Sequence, residues 1–510
     1  MTSRFGHLML LVSAVLMLTG CASPAPQTVT PVFSTPPAQV TSAPTVDQPL
    51  LAFQLPATRE PGAPYYTPTP DAPRTLPTFR PDAEYYVVQY GDSLGYIASQ
   101  YQIDLEMLIA ANDLPNPDVL EIGQVITIPA LQPGTLPSDF KIIPDSELVN
   151  SPASTTLDIK TFVKSQNGYL AGYREDVAGE EMTGIQIVRR ISQEFSVNPR
   201  LLLALLEYRS GWLTSREISE SQRDYPMGYE NPVYKGLYLQ LAWTAKNLNK
   251  GFYAWKINAL SYTPLVGGKL APLSTTINAG TAAVQYMMGL HSTADAWNQA
   301  VSENGVYRTY TNLFGLPFDR AIEPLLPADL TQPELALPFE PGVIWSFTGG
   351  PHSGWGDGSA WAALDFAPPG DQFGCFTSND WVTASADGVI ARADNGAVVL
   401  DLDGDGYEQS GWTILYMHIE SRDRVSAGTR VKAGDRIGHP SCEGGVSDGT
   451  HVHVVRRYNG EWISADGSIP FVMSGWVSAG DGEEYDGTLT RGEDVVYSWN
   501  GRVDENQIGQ

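Results

Sequence analysis

The sequence predicts a multidomain chain with three folded parts: a small βααβ unit, an all-α middle domain and an all-β, barrel-like C-terminal domain. Three observations carry this. The length, 510 residues, is too great for one core and suggests about three domains. Proline-rich stretches separate segments of different apolar periodicity. Helical spacing dominates the middle of the chain, whereas short β runs with Gly-rich turns follow residue 342. Charge narrows the partners: 31 Lys plus Arg stand against 57 Asp plus Glu, a net −26. Such a surface argues against nucleic acid, which needs clustered basic residues, and against electrostatic docking on anionic lipid.

Residues 1–20 read as an export signal, with Arg4 ahead of the apolar run Leu8 to Leu18. That run is too short to span a bilayer, which takes about 20 residues. Leu18-Thr19-Gly20-Cys21 resembles the bacterial lipobox, which implies a lipid on Cys21 and anchoring on the outer (periplasmic or extracellular) side of a membrane. Cys375 and Cys442 then remain as an even pair in an exported chain and are expected to form a disulfide. Residues 21–82 hold fifteen of the 38 prolines and are expected to be a semi-rigid linker.

Residues 83–131 open with a strand at Tyr85-Tyr86-Val87-Val88, turn at Gly91-Asp92, and offer Ser93 as N-cap for a helix carrying Leu94, Ile97 and Ala98. A second helix, Leu105 to Asn112, and a strand at Gly123-Gln124-Val125-Ile126-Thr127-Ile128-Pro129 complete the unit. Its motifs closely resemble the LysM module, which implies binding of N-acetylglucosamine-containing glycans such as peptidoglycan. Residues 132–155 read as a second linker.

Over 156–330, helical spacing is expected at Ile185–Glu194, Pro199–Tyr208, Tyr238–Leu248, Thr276–Leu290 and Thr293–Ser302. The run from Val197 to Trp212, with Gly236-Leu237-Tyr238-Leu239-Gln240 and Asn278-Ala279-Gly280-Thr281, resembles parts of lysozyme-like lytic transglycosylases. That family places its acid immediately before the Ser, where Arg209 stands here; Glu207 is two residues early. A non-catalytic helical domain is therefore expected, with Glu207 a structural carboxylate.

Residues 342–480 are expected to carry the chemistry, followed by an acidic tail over 481–510. Strands are expected at Trp381–Ala384, Gly388–Ala391, Gly396–Asp401 and Trp412–Tyr416, and Val425 to Gly438 reads as a strand–turn pair like those of biotinyl/lipoyl-like barrels. Five of the seven histidines follow residue 350. In His451-Val452-His453 both imidazoles of a strand face one side, suiting a metal ligand and a catalytic neighbour. With Tyr416-Met417-His418, Asp365-Phe366-Ala367-Pro368-Pro369-Gly370 and His352, this ordered set resembles the lysostaphin/LytM-type zinc peptidases. The resemblance implies zinc held by His352, Asp365 and His453, with His418 and His451 as catalytic histidines, and hydrolysis of peptide cross-links by zinc-activated water. The alternative is an inactive wall-binding protein that recruits another hydrolase. The discriminating feature is spacing: the family usually has His-x-x-x-Asp, whereas His352 precedes Asp365 by thirteen residues. The glycine-rich insertion Ser353 to Gly358 is expected to loop beside the cleft, with Trp355 and Trp361 walling the cleft or packing beneath it. Zinc then requires ligand atoms roughly 3–3.5 Å apart. His439 is read as a loop residue near the site, and Asp401, Asp403 and Asp405 as an acidic turn, because Trp412 stands where a calcium loop needs an acid.

Overall fold

The computed structural model describes residue 80 and residues 82–510, except 90, 102, 104, 113, 115, 118 and 132. The export signal, Cys21 and almost all of the 21–82 linker lie outside the described residues. No described helix is long and apolar enough to cross a membrane.

The first unit runs β1 (Glu84–Val87), α1 (Leu94–Gln100), α2 (Leu105–Ala111) and β2 (Val125–Ile128), with β1 and β2 antiparallel. Ser93 caps α1 through its Oγ, which accepts from Tyr96 N at 3.1 Å. Asn112 ties α2 to β2: its Nδ2 donates to Thr127 O and its Oδ1 accepts from Thr127 N. The unit's core of Val88, Ile97, Leu108, Ile126 and Ile128 closes over Tyr262 and Leu270 of the next domain.

The middle domain contains α3 (Asp145–Leu148), α4 (Ile159–Gln166), β3 (Arg174–Val177), β4 (Glu180–Thr183), α5 (Gly184–Phe195), α6 (Pro199–Ser210), α7 (Glu220–Asp224), α8 (Leu237–Lys256), β5 (Tyr262–Leu265), β6 (Lys269–Pro272), α9 (Ala279–Gly289), α10 (Ala294–Ala300) and α11 (Val306–Phe314). It is not all-α: β3–β4 and β5–β6 are two-stranded hairpins. Thr183 ends the first hairpin and caps α5 in a capping box with Gln186, so hairpin and helix share one residue's side chain. The expected linker 132–155 also departs from the sequence reading. Ile142, Ile143, Leu148 and Val149 are buried in the helical core, and a Pro-, Ser- and Thr-rich composition hides them.

The C-terminal domain comprises β7 (Trp345–His352), β8 (Ala363–Ala367), β9 (Val382–Thr383), β10 (Gly388–Asp394), β11 (Ala397–Asp401), β12 (Trp412–Met417), β13 (Arg430–Val431), β14 (Arg436–Gly438), β15 (Val452–Tyr458), β16 (Glu461–Trp462), β17 (Val472–Met473), β18 (Trp476–Gly480), β19 (Gly487–Arg491), β20 (Asp494–Tyr497) and β21 (Gln507–Ile508). The expected barrel is corrected: the main sheet is open, ordered β13-β10-β11-β12-β15-β8-β7-β21, with β16 on β15. The expected strand–turn pair at 425–438 splits, β13 pairing with β10 and β14 with β9. The expected acidic tail is likewise built in, because β19 and β20 join a four-stranded sheet and β21 pairs with β7.

Alternation along the sheet assigns its two faces. Leu364, Phe366, Val398, Leu400, Ile414, Tyr416, Val452 and Val454 pack into the C-terminal domain's own core. Ala363, Val399, Leu415, Met417, Val455 and Trp462 face the other way and join the helical core. The β15–β16 turn enters the helices, where Ser196 Oγ donates to Gly460 O at 2.6 Å and Trp462 N donates to Tyr253 Oη at 3.0 Å. Gly460 has φ +78°, and a Cβ there would meet Asn150 O at 2.3 Å.

Glu408 is buried between two arginines, its Oε1 3.1 Å from Arg392 Nε and its Oε2 3.0 Å from Arg457 Nη2. Burial opposes its charge, but the two guanidiniums hold its pKa below the ordinary 4.5. A depressed carboxylate contributes stability that is present above the unfolded pKa and lost as pH falls through the folded one. Glu408→Gln should therefore cost about 3–5 kcal/mol at pH 7, since it leaves buried arginines uncompensated. In urea unfolding the gap from the parent protein should narrow below about pH 4; an equal gap at both pH values would contradict this.

Candidate metal centre

Three adjacent strands bring the histidines and the aspartate together. β8 pairs with β15 so that Asp365 lies directly opposite His453, and β15 pairs with β12 so that Met417 lies opposite His453. Residues facing each other in register project to one face, so Asp365 and His453 meet. His451 stands two residues before His453 and shares its face. His418 follows β12, and His352 ends β7, which pairs with β8 through two register shifts. Those shifts are what recover the long His352–Asp365 spacing. The insertion between them loops out, and β7 and β8 still run side by side.

The geometry is compact. His352 Nε2 lies 3.0 Å from His453 Nδ1 and 3.3 Å from Asp365 Oδ1, and His453 Nδ1 lies 3.0 Å from the same oxygen. Each imidazole's other nitrogen faces a carbonyl: His352 Nδ1 faces Gly350 O at 2.8 Å and His453 Nε2 faces Gly354 O at 3.1 Å. A carbonyl only accepts, so those nitrogens carry the protons. His352 Nε2 and His453 Nδ1 are thereby left as bare lone pairs facing a carboxylate. Three acceptors at this separation repel unless a proton or a cation lies between them. The separations match those zinc imposes on a His₂Asp set, and backbone carbonyls behind both imidazoles are the usual support for metal-ligating histidine. The residues therefore fit a zinc ion.

Burial opposes the Asp365 charge, but the positive charge that His352 and His451 beside it can take up holds its pKa well below the carboxylate range. Burial lowers His352, yet the Asp365 charge beside it raises it overall and favours a proton on that nitrogen when no metal takes its place. Burial pushes His453 down against the pull of Asp365. His418 falls well below its ordinary value through burial and through His451 and His453.

His418 and His451 flank the group, with ring centroids 4.5 Å apart. His451 Nε2 is 3.7 Å from Asp365 Oδ1, just outside the ligand triangle. His418 Nδ1 donates to Glu443 O at 3.2 Å and His451 Nδ1 donates to Gly449 O at 2.8 Å, so both Nε2 atoms are bare. His418 has φ +63° and is held there by its own carbonyl, which accepts from Ser441 N and Ser441 Oγ. Cys375 and Cys442 are disulfide-bonded, with Cα atoms 5.8 Å apart. The bond ties the loop after Gly370 to the segment that supplies Glu443 O and leads to His451.

Other expected residues fall elsewhere. His439 is buried against Trp381 with its Nδ1 2.8 Å from Asp380 O, on a segment that runs beside His418. Asp401, Asp403 and Asp405 cluster in a turn where their oxygens accept backbone N–H groups of the same turn. Glu207 accepts from Leu213 N and Thr214 N, closing the C-terminal turn of α6. Of the two places expected for Trp355, the structure takes the packed one: its ring lies partly buried against the helical core near Phe195. Sequence reasoning misses Tyr485, whose ring stacks on His352 at 4.2 Å and whose phenol is pushed up to about 12, first by burial and then by Asp365. Glu484 beside it accepts from Ser353 N at 2.9 Å. No motif announces either residue, because both come from the segment that reads as a tail.

Gly349 leaves no room for a side chain beside Asp365. A Cβ there would lie 2.8 Å from Asp365 Oδ2 and 3.1 Å from Asp365 Cβ. Gly349→Ala should push the carboxylate out of the triangle and weaken zinc affinity about 10–100-fold, read by chelator competition. An unchanged affinity would show that the carboxylate does not need this position.

The family model for the LysM domain matches residues 86–129, that for the LasA N-terminal domain matches 141–327, and that for peptidase family M23 matches 369–465. The M23 match includes His418, His451 and His453, and begins after His352 and Asp365. Protease LasA of Pseudomonas aeruginosa (strain UCBPP-PA14) is 26% identical over 292 residues, covering 54% of this chain and 66% of LasA. The chain thus spans just under two thirds of that relative. Beta-lytic metalloendopeptidase of Achromobacter lyticus is 28% identical over 165 residues, 31% of this chain and 41% of that protein. Among solved structures, the M23 metalloprotease pseudoalterin from the deep sea aligns at 26% identity and TM-score 0.29, covering 36% of this chain and all of that one. The middle region, expected to resemble lytic transglycosylases, matches instead the LasA N-terminal domain. The chain carries a LysM domain and, behind a LasA-type N-terminal region, a sheet-rich peptidase domain of the M23 kind.

Proposed function

We propose that the protein is a zinc endopeptidase that binds peptidoglycan and hydrolyses its peptide cross-links. One observation carries the reading: His352 Nε2, His453 Nδ1 and Asp365 Oδ1 converge within 3.3 Å, while the other nitrogen of each imidazole faces a backbone carbonyl. The alternative of an inactive wall-binding protein rests on the thirteen-residue spacing, and the register shifts in β7 and β8 remove that support.

Zinc in this triangle would supply a Lewis acid and lower the pKa of water towards neutrality. The chain's own residues supply the rest. Asp365 and the two bare nitrogens hold the ion, and Gly350 O and Gly354 O fix their rings. His418 and His451 present bare Nε2 atoms on the open side; one takes a proton from the attacking water and passes that same proton to the leaving amine, while the other accepts the water's second hydrogen in a hydrogen bond and orients it. The LysM domain holds the glycan and so raises the local concentration of peptide stems at the sheet. The lipobox-like Leu18-Thr19-Gly20-Cys21 supports an anchor on the outer side of a membrane, the proline-rich 21–82 segment acting as tether.

The full chain should bind one zinc and clear peptidoglycan, and chelation should abolish clearing until zinc is returned. Absence of both zinc and clearing would overturn the proposal. His418→Ala and His451→Ala should keep the metal while losing about 10²–10⁴-fold in turnover, whereas His453→Ala should lose the metal. If His451→Ala emptied the site and His453→Ala did not, the assigned roles would be wrong. Cys21→Ser should move the protein from the membrane pellet to the soluble fraction; unchanged partitioning would count against the anchor.

A further inference from the structure

The helical domain contains a cation with no counter-charge. Arg209 lies in the last turn of α6. Its Nη2 reaches only Met288 O, at a long 3.5 Å, and its Nε is enclosed without a partner. Among the described residues no carboxylate forms an ion pair with it. Burial pushes its pKa down and only Tyr208 counters. In a chain with 57 acidic residues an anionic partner is easily supplied, yet none is placed here. A half-buried, unpaired guanidinium costs folding free energy.

Beside it stands an aromatic shelf. Tyr229 stacks on Trp243 at 4.7 Å and on His291 at 4.8 Å, and Trp243 and His291 are 5.0 Å apart. His291 follows Met288 by three residues, beyond the end of α9, and Arg209 is among the causes of its lowered pKa, after burial. His291 is exposed, and Tyr229 and Trp243 are partly so. The rings stack on one another and cover the faces they share, so the exposed side of His291 and the partly exposed edges of Tyr229 and Trp243 are what remain for the flat apolar face of a pyranose, and a guanidinium suits a carboxylate in a two-pronged pair. One isolated cation in so acidic a chain does not suit a polyphosphate.

We propose that Arg209 and the Tyr229–Trp243–His291 shelf form a second saccharide site, separate from the LysM domain, for a pyranose bearing a carboxylate. Naming the natural source as the muramic acid of a wall glycan rests on the peptidoglycan reading; the ring-plus-carboxylate chemistry does not. The site would hold a second stretch of the same polymer while peptide stems meet the sheet.

The test is calorimetric titration of the full chain with an N-acetylglucosamine–N-acetylmuramic acid tetrasaccharide, its methyl ester and chitotetraose. Arg209→Met should weaken the acidic tetrasaccharide at least tenfold, leave chitotetraose within twofold, and melt no lower than the parent protein. The ester should bind the parent protein as weakly as the acid binds the variant. Equal affinity of parent and variant for the acid would overturn the proposal, as would a variant that melts several degrees lower, since the arginine would then be structural. His291→Ala, an exposed change that leaves the core intact, should also weaken the acid; no effect would remove the shelf from the site. Tighter binding of a uridine monophosphate probe than of the saccharide would overturn the ligand class. Zinc-dependent clearing should survive both variants, so loss of clearing in the parent protein would concern the metal site alone.

Discussion

Two backbone carbonyls govern the site. Gly350 O and Gly354 O each take one imidazole proton, and with that the remaining nitrogens of His352 and His453 can only accept. Opposite them the register of β8 and β15 fixes Asp365, whose carboxylate also only accepts. Nothing in the side chains alone would set this up. A histidine with a free choice of tautomer would donate to the aspartate and settle as an ordinary buried ion pair. The carbonyls remove the choice, so the centre of the triangle is stabilised only by a proton or a metal.

The same sheet face has two tenants. Val455, Leu415, Met417 and Ala363 face the helices, and His453 and Asp365 face the same way nearer the strand ends. The helical domain covers one part of that face and the histidines line another. This explains why strands next to a polar site read as continuous apolar runs. Both faces of Ala397–Asp401 and Trp412–Met417 are buried, one under the domain's own β elements and one under helices.

Much of this is legible in the sequence, and the exceptions have physical causes. Period-two logic places His451 and His453 on one side, because strand alternation is local. Capping residues mark the starts of α1 and α6, where Ser93 and Asn198 accept from their own first turns. The return of His352 to Asp365 is beyond the reach of sequence spacing, since it depends on register shifts between strands separated by a loop. Closure of the β domain is misjudged because strand–turn periodicity does not encode which strands pair; β13 and β14 are neighbours in sequence and partners of different strands. The acidic segment after 480 and the polar segment before 156 are judged by composition. Among their apolar residues, Leu489, Val496 and Ile508 in one and Ile142, Ile143 and Leu148 in the other are buried. Composition averages over the residues that decide folding.

The long insertion after His352 is not a free loop. Trp355 packs near Phe195 of α5, Lys246 of α8 is paired with Asp357, and a Cβ on Gly358 would meet Lys246 O at 2.7 Å. Gly354, whose carbonyl fixes His453, lies between Trp462 and Val455 where that loop leaves the sheet. On the other side, Glu484 accepts from Ser353 N and Tyr485 covers His352. The segment is thus clasped from the helical domain and from the C-terminal β-turns at once. A short His-x-x-x-Asp spacing would set the two ligands by local geometry alone. A thirteen-residue spacing surrenders that local constraint, and loop entropy would favour many positions for His352. Contacts from two distant parts of the chain supply the missing constraint, so the geometry of the candidate metal centre depends on the helical domain although none of its three residues comes from it.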